Sequence, residues 1–191
     1  MIYKVLKVLR DNLDTELNPQ NPGSAILDPV DIVIDNIARE DTDATAISNK
    51  IVITLLNVEE EPTLKNTPRY ERKFPSGYVK KNPSAYLNLY VMVAANRDNY
   101  EIALKNISKV IETLQVQKVL LNEEEGFTFK VQLQPLPFDQ LSYAWGLLGG
   151  KVIPSALYKV SIVKIQRGGM TDPELITEID IKDVQNQSNE K

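Results

Sequence analysis

Apolar side chains recur every three to four positions in two long segments of the chain, and this spacing predicts amphipathic helices. The first segment is residues 2–17, which Asn18-Pro19 should end. The second segment, residues 99–115, follows the helical spacing more closely. We expect Asp98 to cap its start, with Glu101 three residues on in the capping-box position.

A third, shorter helix is predicted at residues 139–148, with Asp139 as its cap and a Gly-Gly pair after its end. Trp145 falls at helical spacing with Leu141 and Leu148, which favours a place in the core. Tyr143 is the better candidate for a surface contact.

The remaining apolar segments alternate with polar residues or form short continuous runs, as strands do. Residues 50–58 are the most apolar of them and should be covered on both faces. Residues 127–134 alternate, which predicts a half-exposed strand with Phe127, Phe129, Val131 and Leu133 inside. Further strands are predicted at residues 29–37, 84–94 and 156–165.

The order of these elements predicts an α+β fold, a single mixed, largely antiparallel sheet packed against two to three helices. Residues 1–167 should form this core domain, and residues 168–191 should form a C-terminal extension. We see no internal repeat, heptad or low-complexity tract.

A charged segment with several prolines, residues 59–83, interrupts the core. Structureless loops of this length are uncommon in compact domains, so we interpret this segment, called the arm below, as functional or mobile. We expect it to contact a neighbouring subunit or another protein. Its candidate contact residues are Glu59, Glu61, Arg69, Arg72 and Lys73.

The C-terminal extension is polar, but Thr177, Ile179 and Ile181 alternate with charged residues, as in a half-buried strand. Such a segment can add to an exposed sheet edge through main-chain hydrogen bonds. Two interpretations remain open: the strand pairs with a neighbouring protein, or it folds back onto its own sheet.

The composition excludes several classes of function. The chain has 22 basic and 26 acidic residues, a net charge of −4, and neither cysteine nor histidine. The acidic balance argues against a nucleic-acid partner. The missing residue types exclude thiolate nucleophiles, Ser-His-Asp mechanisms and the usual zinc ligands.

No apolar run approaches the roughly 20 residues of a membrane span, and the first residues lack the apolar region of a signal peptide. We therefore expect synthesis and assembly in the cytoplasm, without membrane insertion.

Glu59 and Glu61 are the best candidates for paired carboxylates, because alternate residues of a strand share a face. No third type of metal ligand stands nearby in the sequence, which favours a solvated strand end or a subunit contact over a catalytic pair. We expect no cofactor, no metal and no small-molecule substrate.

Four segments resemble a known family, the N-terminal domain of the cap protein in virulence-cassette and antifeeding-prophage injection systems. They are IYKVLKVLRDNLDTEL, NKIVITLLNVEEEPTLKN, AYLNLYVMVAANRDNYEIALKNISKVIETLQ and LSYAWGLLGGKVIPSALYKVSIVKI. Together they cover most of residues 2–165, and none of them is a catalytic motif.

The resemblance implies a phage tail-terminator-like fold and a structural, non-enzymatic role. Such a subunit would form a ring, expected to be a hexamer, on the distal end of the inner tube and sheath of a contractile injection system. It would stop polymerisation and anchor the sheath. Two alternatives stay open: a non-catalytic protein-binding module of another phage-like or secreted assembly, and a hydrolase that uses Glu59 and Glu61.

Overall fold

A computed structural model describes residues 1–18, 29–38, 46–64, 70–72, 78–81, 85–122, 126–165 and 170–171. The chain divides into two compact units. The first comprises Met1–Asn66 and Ser84–Ile165, and the second comprises Thr67–Pro83 and Gln166–Lys191. The domain boundaries proposed from the sequence, 1–167 and 168–191, stay a prediction.

Helix α1 spans Ile2–Leu17 and confirms the first predicted helix. Its apolar stripe is buried, with Val5, Leu9 and Leu13 fully inaccessible to solvent. Asn18 ends the helix and ties it to the following segment, because its side-chain amide donates to the carbonyl of Val30 at 2.9 Å and accepts from the Val30 N–H at 3.0 Å.

Helix α2 spans Tyr100–Val116, as the spacing predicted, but the N-cap residue predicted for it is wrong. Asn99, not Asp98, is the N-cap, and its side-chain oxygen accepts from the N–H groups of Glu101 at 2.9 Å and Ile102 at 3.3 Å. Asp98 and Asn99 are both suitable N-cap residues, so the sequence pattern does not show at which of the two the helix starts.

Helix α3 spans Phe138–Leu147, and its predicted cap is also wrong. Pro137 occupies the N-cap position without a side-chain hydrogen bond, and Asp139 lies inside the first turn. A carboxylate there is still favourable, because the N-terminal end of a helix carries partial positive charge. The helix closes as predicted at Gly149 and Gly150, whose φ angles of 90° and 75° suit glycine.

Nine strands are described. They are β1 (Ile32–Ile34), β2 (Lys50–Glu60), β3 (Tyr70–Arg72), β4 (Tyr78–Lys81), β5 (Ala85–Asn96), β6 (Val119–Asn122), β7 (Phe127–Leu133), β8 (Ser155–Ile165) and β9 (Met170–Thr171). The first unit contains a six-stranded sheet of order β1-β2-β5-β8-β7-β6. Of the described strand pairs in this sheet, only β1 and β2 run in parallel, which confirms the mixed, largely antiparallel sheet.

Two features of this sheet differ from the prediction. Strand β6, a four-residue edge strand that follows α2 and pairs with the first half of β7, was not predicted from the sequence. Leu133, expected inside, is 51% exposed. It lies at the end of β7, beyond the stretch that pairs with β6.

The described strands of the second unit form a three-stranded antiparallel sheet of order β3-β4-β9. Tyr70 pairs with Lys80 in the arm hairpin, and Lys80 pairs in turn with Thr171 of the C-terminal extension. The sequence analysis anticipated neither this sheet nor the pairing of arm and extension.

Candidate functional site

The two faces of the six-stranded sheet are covered unequally. Under α1 and α2, one face carries a continuous apolar cluster that includes Ile53, Leu89, Val91 and Val160. The other face packs against α3 around Met92 and Ala94. The rest of that second face, which no helix of the described residues covers, is called the open face below.

Trp145 anchors α3 to the sheet and is only 3% exposed, which confirms its predicted core position. It packs with Met92 and Ala94, and Leu141 and Leu148 flank it. A pocket of about 260 Å³ lies beside it, lined in part by Asp98 and Lys151. Ligand sites usually measure about 300–1,000 Å³, so this pocket is small for a substrate.

A row of polar side chains crosses the open face on four neighbouring strands. Strand register places Asn57 of β2 beside Tyr90 of β5, Tyr90 beside Lys159 of β8, and Lys159 beside Gln132 of β7. Tyr90 lies two residues from Met92 on β5, so both point to the same face of the sheet. Asn57 and Gln132 are exposed, whereas Tyr90 and Lys159 are half-buried.

Glu59 and Glu61 lie at the end of β2 beside this row. Glu59 accepts a hydrogen bond from the Asn57 amide at 3.2 Å, and it also interacts with the Tyr90 hydroxyl. Partial burial, with the hydrogen bond to Glu59 and its negative charge, raises the pKa of Tyr90 above its usual value. Tyr90 therefore stays protonated and able to donate.

Glu61 has two side-chain donors. The amide of Asn88 donates to one carboxylate oxygen at 2.7 Å, and the hydroxyl of Thr63 donates to the other at 2.7 Å. These bonds, the Asn88 bond first, lower the pKa of Glu61 below its usual value. The structure thus brings both predicted carboxylates to one end of β2, each within a separate set of hydrogen bonds.

The hydrogen bonds around Glu61 disfavour this residue as a general acid. A general acid in a hydrolase needs a pKa raised toward neutrality, whereas these donors lower the pKa of Glu61. Within the described ranges, no three acidic, histidine or cysteine side chains are grouped to hold a metal ion.

Two polar side chains are buried under the helix-covered face, and the sequence analysis did not single them out. Asn106 is fully buried on α2, and neither of its side-chain amide atoms has a hydrogen-bond partner among the described residues. Tyr158 of β8 is 2% exposed, its hydroxyl likewise finds no partner within the described ranges, and burial raises its pKa to about 12. The sequence did indicate the burial of Asn106, because this residue lies between Ala103 and Val110 on the apolar stripe of α2.

The other predicted contact residues are scattered. Tyr143 is 75% exposed on α3, as a surface contact requires. Arg72 lies in β3. Arg69, Lys73, Thr177, Ile179 and Ile181 lie outside the described residues. Their roles stay predictions.

The helices in the described ranges are too short or too polar to cross a membrane.

The chain matches one protein family and several solved structures. Residues 4–178 match the family model described as the Pvc16 N-terminal domain. No curated protein matches the sequence.

The solved structures that share the fold include two terminator proteins. One is the sheath/tube terminator of an extracellular contractile injection system (PVC) in its extended state, at 16% identity and a TM-score of 0.63. That match covers 100% of this chain and 65% of the other. The second is the tube-terminating cap of the anti-feeding prophage, also at 16% identity and a TM-score of 0.63, covering 93% of this chain and 60% of the other. The chain therefore spans less than two thirds of either structure's length.

Proposed function

The chain belongs to the Pvc16 N-terminal domain family, and on that premise we propose that it is a tail-terminator (cap) subunit of a contractile injection system. It closes the distal end of the inner tube and sheath, ends their polymerisation and anchors the last sheath layer. It acts as a structural protein and catalyses no reaction.

One observation carries the proposal: the family match spans residues 4–178, and the fold over the whole chain is that of a sheath/tube terminator. A terminator must bind the open end of a helical stack and present a different surface on its other side. This needs complementary contacts and no chemistry. The hydrogen bonds that keep Glu61 ionised agree with such a role.

The partners in this proposal are further copies of the chain, in a closed ring of six, and the tube and sheath proteins. A ring matches the end of a tube because both repeat the same contact around one axis. The acidic chain has no nucleic-acid or small-molecule partner in this role. It is made in the cytoplasm and becomes part of the assembled particle.

The arm and the C-terminal extension supply contacts in this proposal. The β3-β4-β9 sheet joins these two sequence-distant segments of the chain through Lys80 and Thr171, and we infer that they act together. Arg69, Arg72 and Lys73 then contact a neighbouring subunit or sheath, and Thr177, Ile179 and Ile181 pair with an exposed sheet edge. Glu59, Glu61 and Tyr143 belong to the same contact set.

Tube assembly with and without the purified chain tests the function. Tube protein polymerised with the chain should give tubes of limited length, and electron micrographs should show a ring at one end. Tubes that grow to the same length and carry no ring would contradict the terminator role.

A charge-reversed arm variant, Arg69→Glu/Arg72→Glu/Lys73→Glu, should fold normally and cap poorly. The matched control Lys105→Glu/Lys118→Glu/Lys130→Glu changes the net charge equally outside the arm. If both variants lose capping equally, the effect comes from net charge, and the arm does not contribute to capping.

A further inference from the structure

The pocket beside Trp145 combines apolar side chains with two opposite charges. Its apolar lining includes Trp145, Leu148 and Ile153, which belong to the small cluster between α3 and the sheet. Its polar lining includes one acidic residue, Asp98, and one basic residue, Lys151. The pocket therefore offers a partner for an apolar group, a cation and an anion within one cavity.

The two charged side chains of the pocket are not paired with each other. No ion pair joins Asp98 to Lys151, and neither side chain makes a hydrogen bond with another residue that the structure describes. Both side chains are exposed, so water solvates them in the empty pocket. Each one is available to pair with a charge that a ligand brings.

Asn96 adds a polar group whose orientation is fixed. Its side-chain nitrogen donates to the carbonyl of Ile47 at 2.9 Å, and Ile47 is itself buried. This bond holds the amide in one orientation and leaves the amide oxygen as a hydrogen-bond acceptor on the pocket lining. A group that is oriented before binding loses little conformational freedom when a ligand arrives.

The volume of the pocket limits the occupant to a small molecule. An apolar cavity of about 150 Å³ accommodates benzene. By the same ratio, the 260 Å³ beside Trp145 has room for roughly ten non-hydrogen atoms. That is the size of a branched aliphatic amino acid such as leucine.

We propose that this pocket binds a free α-amino acid with a branched aliphatic side chain. The ammonium group of the ligand pairs with Asp98 and donates to the Asn96 oxygen, and its carboxylate pairs with Lys151. Its side chain packs against Trp145. Charge-assisted hydrogen bonds of this kind are the strong ones in proteins.

The opposite charges favour a free amino acid over a side chain inserted by another protein. In a free amino acid the ammonium and carboxylate groups are attached to one carbon atom, which also carries the apolar side chain. A residue within a polypeptide has lost both backbone charges to its peptide bonds, and a terminal residue keeps only one of them. Only the free molecule therefore uses Asp98, Lys151 and Trp145 together.

This site is separate from the contacts of the proposed terminator. Asn96, Asp98 and Lys151 take no part in that contact set, and the bound amino acid is not the substrate of a reaction. A ligand that binds only the folded chain raises its stability by mass action. Since the ligand lies against Trp145, we expect it to strengthen the attachment of α3 to the sheet.

Trp145 reports on this site, because it is the single tryptophan of the chain. Leucine titrated into the purified protein should change the tryptophan fluorescence and reach saturation. Isoamylamine, which lacks the carboxylate, and isocaproate, which lacks the ammonium group, should bind more weakly by about tenfold or more, since each loses one charged contact. Calorimetry measures the same affinities without relying on fluorescence.

Matched variants test the two charged contacts. Lys151→Gln and Asp98→Asn should each weaken leucine binding by about tenfold or more, because each removes one charged partner. Lys118→Gln and Asp139→Asn remove exposed charges outside the pocket lining and should leave the affinity unchanged.

Three results would overturn the proposal. The first is leucine without a saturable change in fluorescence or a heat of binding. The second is equal affinity for leucine and its two single-charge analogues, and the third is equal affinity in the pocket variants and their controls. Because none of these measurements involves tube protein, they leave the proposed terminator function to its own test.

Discussion

Val91 and Tyr90 are consecutive residues of β5 that point to opposite faces of the same sheet. Val91 is fully buried in the apolar cluster under the two long helices. Tyr90 is half-buried in a polar row that no helix covers completely. One strand thus contributes both to the core and to a polar surface.

This difference indicates that one face of the sheet stabilises the fold and that the other is available for binding. The helix-covered face gathers buried residues from both long helices and from all six strands of the sheet. The other face has a small apolar cluster around Trp145, and the polar row lies beyond it. We therefore expect substitutions on the first face to alter the free energy of unfolding, and substitutions on the open face to alter binding.

The largest expected effect comes from placing the same charge on either face of β5. Val91→Asp should strongly destabilise or unfold the protein, because a carboxyl group buried in an apolar core costs several kcal/mol even when protonated, against a total stability of about 5–15 kcal/mol for a typical domain. Tyr90→Asp should fold, because that position reaches solvent. Circular dichroism and thermal melting of the two variants measure the contrast. A folded Val91→Asp would show that the cluster under α1 and α2 is not the main core.

Trp145→Ala tests how much the small cluster contributes. Loss of a buried tryptophan should lower the free energy of unfolding by about 3 kcal/mol, the low end of the usual range, because few buried neighbours surround it. Leu147→Ala on the exposed side of α3 should change it by less than about 0.5 kcal/mol. Urea unfolding measures both, and equal losses would mean that Trp145 does not anchor the helix.

The smallest effect concerns acid pH and the open face. The pKa of Glu61 is lowered in the folded protein, so its contribution to stability is present above the usual pKa of 4.5 and is lost as pH falls through the folded value. Glu61→Gln should therefore reduce the acid dependence of the urea midpoint below pH 4.5.

Asn88→Ala should reduce the same acid slope, because it removes the strongest donor to Glu61. It will also lower stability at every pH by deleting a buried side chain, so the slopes are compared and not the midpoints. Unchanged acid slopes in both variants would refute the assignment of these hydrogen bonds.

Local spacing identified the three helices and the long strands, because burial of one face imposes a period on neighbouring residues. Trp145 was placed correctly for this reason. The same local patterns failed at Asp98 and Asp139, where adjacent polar and turn residues offer alternative helix starts, and at β6, which is too short to show a period.

The sequence by itself determined which side chains are available to this protein, with no cysteine, no histidine and an acidic balance. It also determined the apolar segments from which the helices and strands form. Tertiary structure alone decided which of these residues meet. Asn57, Tyr90, Lys159 and Gln132 come from four distant segments and align only through strand register. The pairing of Lys80 with Thr171 joins residues that are far apart in the chain. The physical reason is that periodicity records burial along one element, whereas contacts between elements depend on a register that no local pattern specifies.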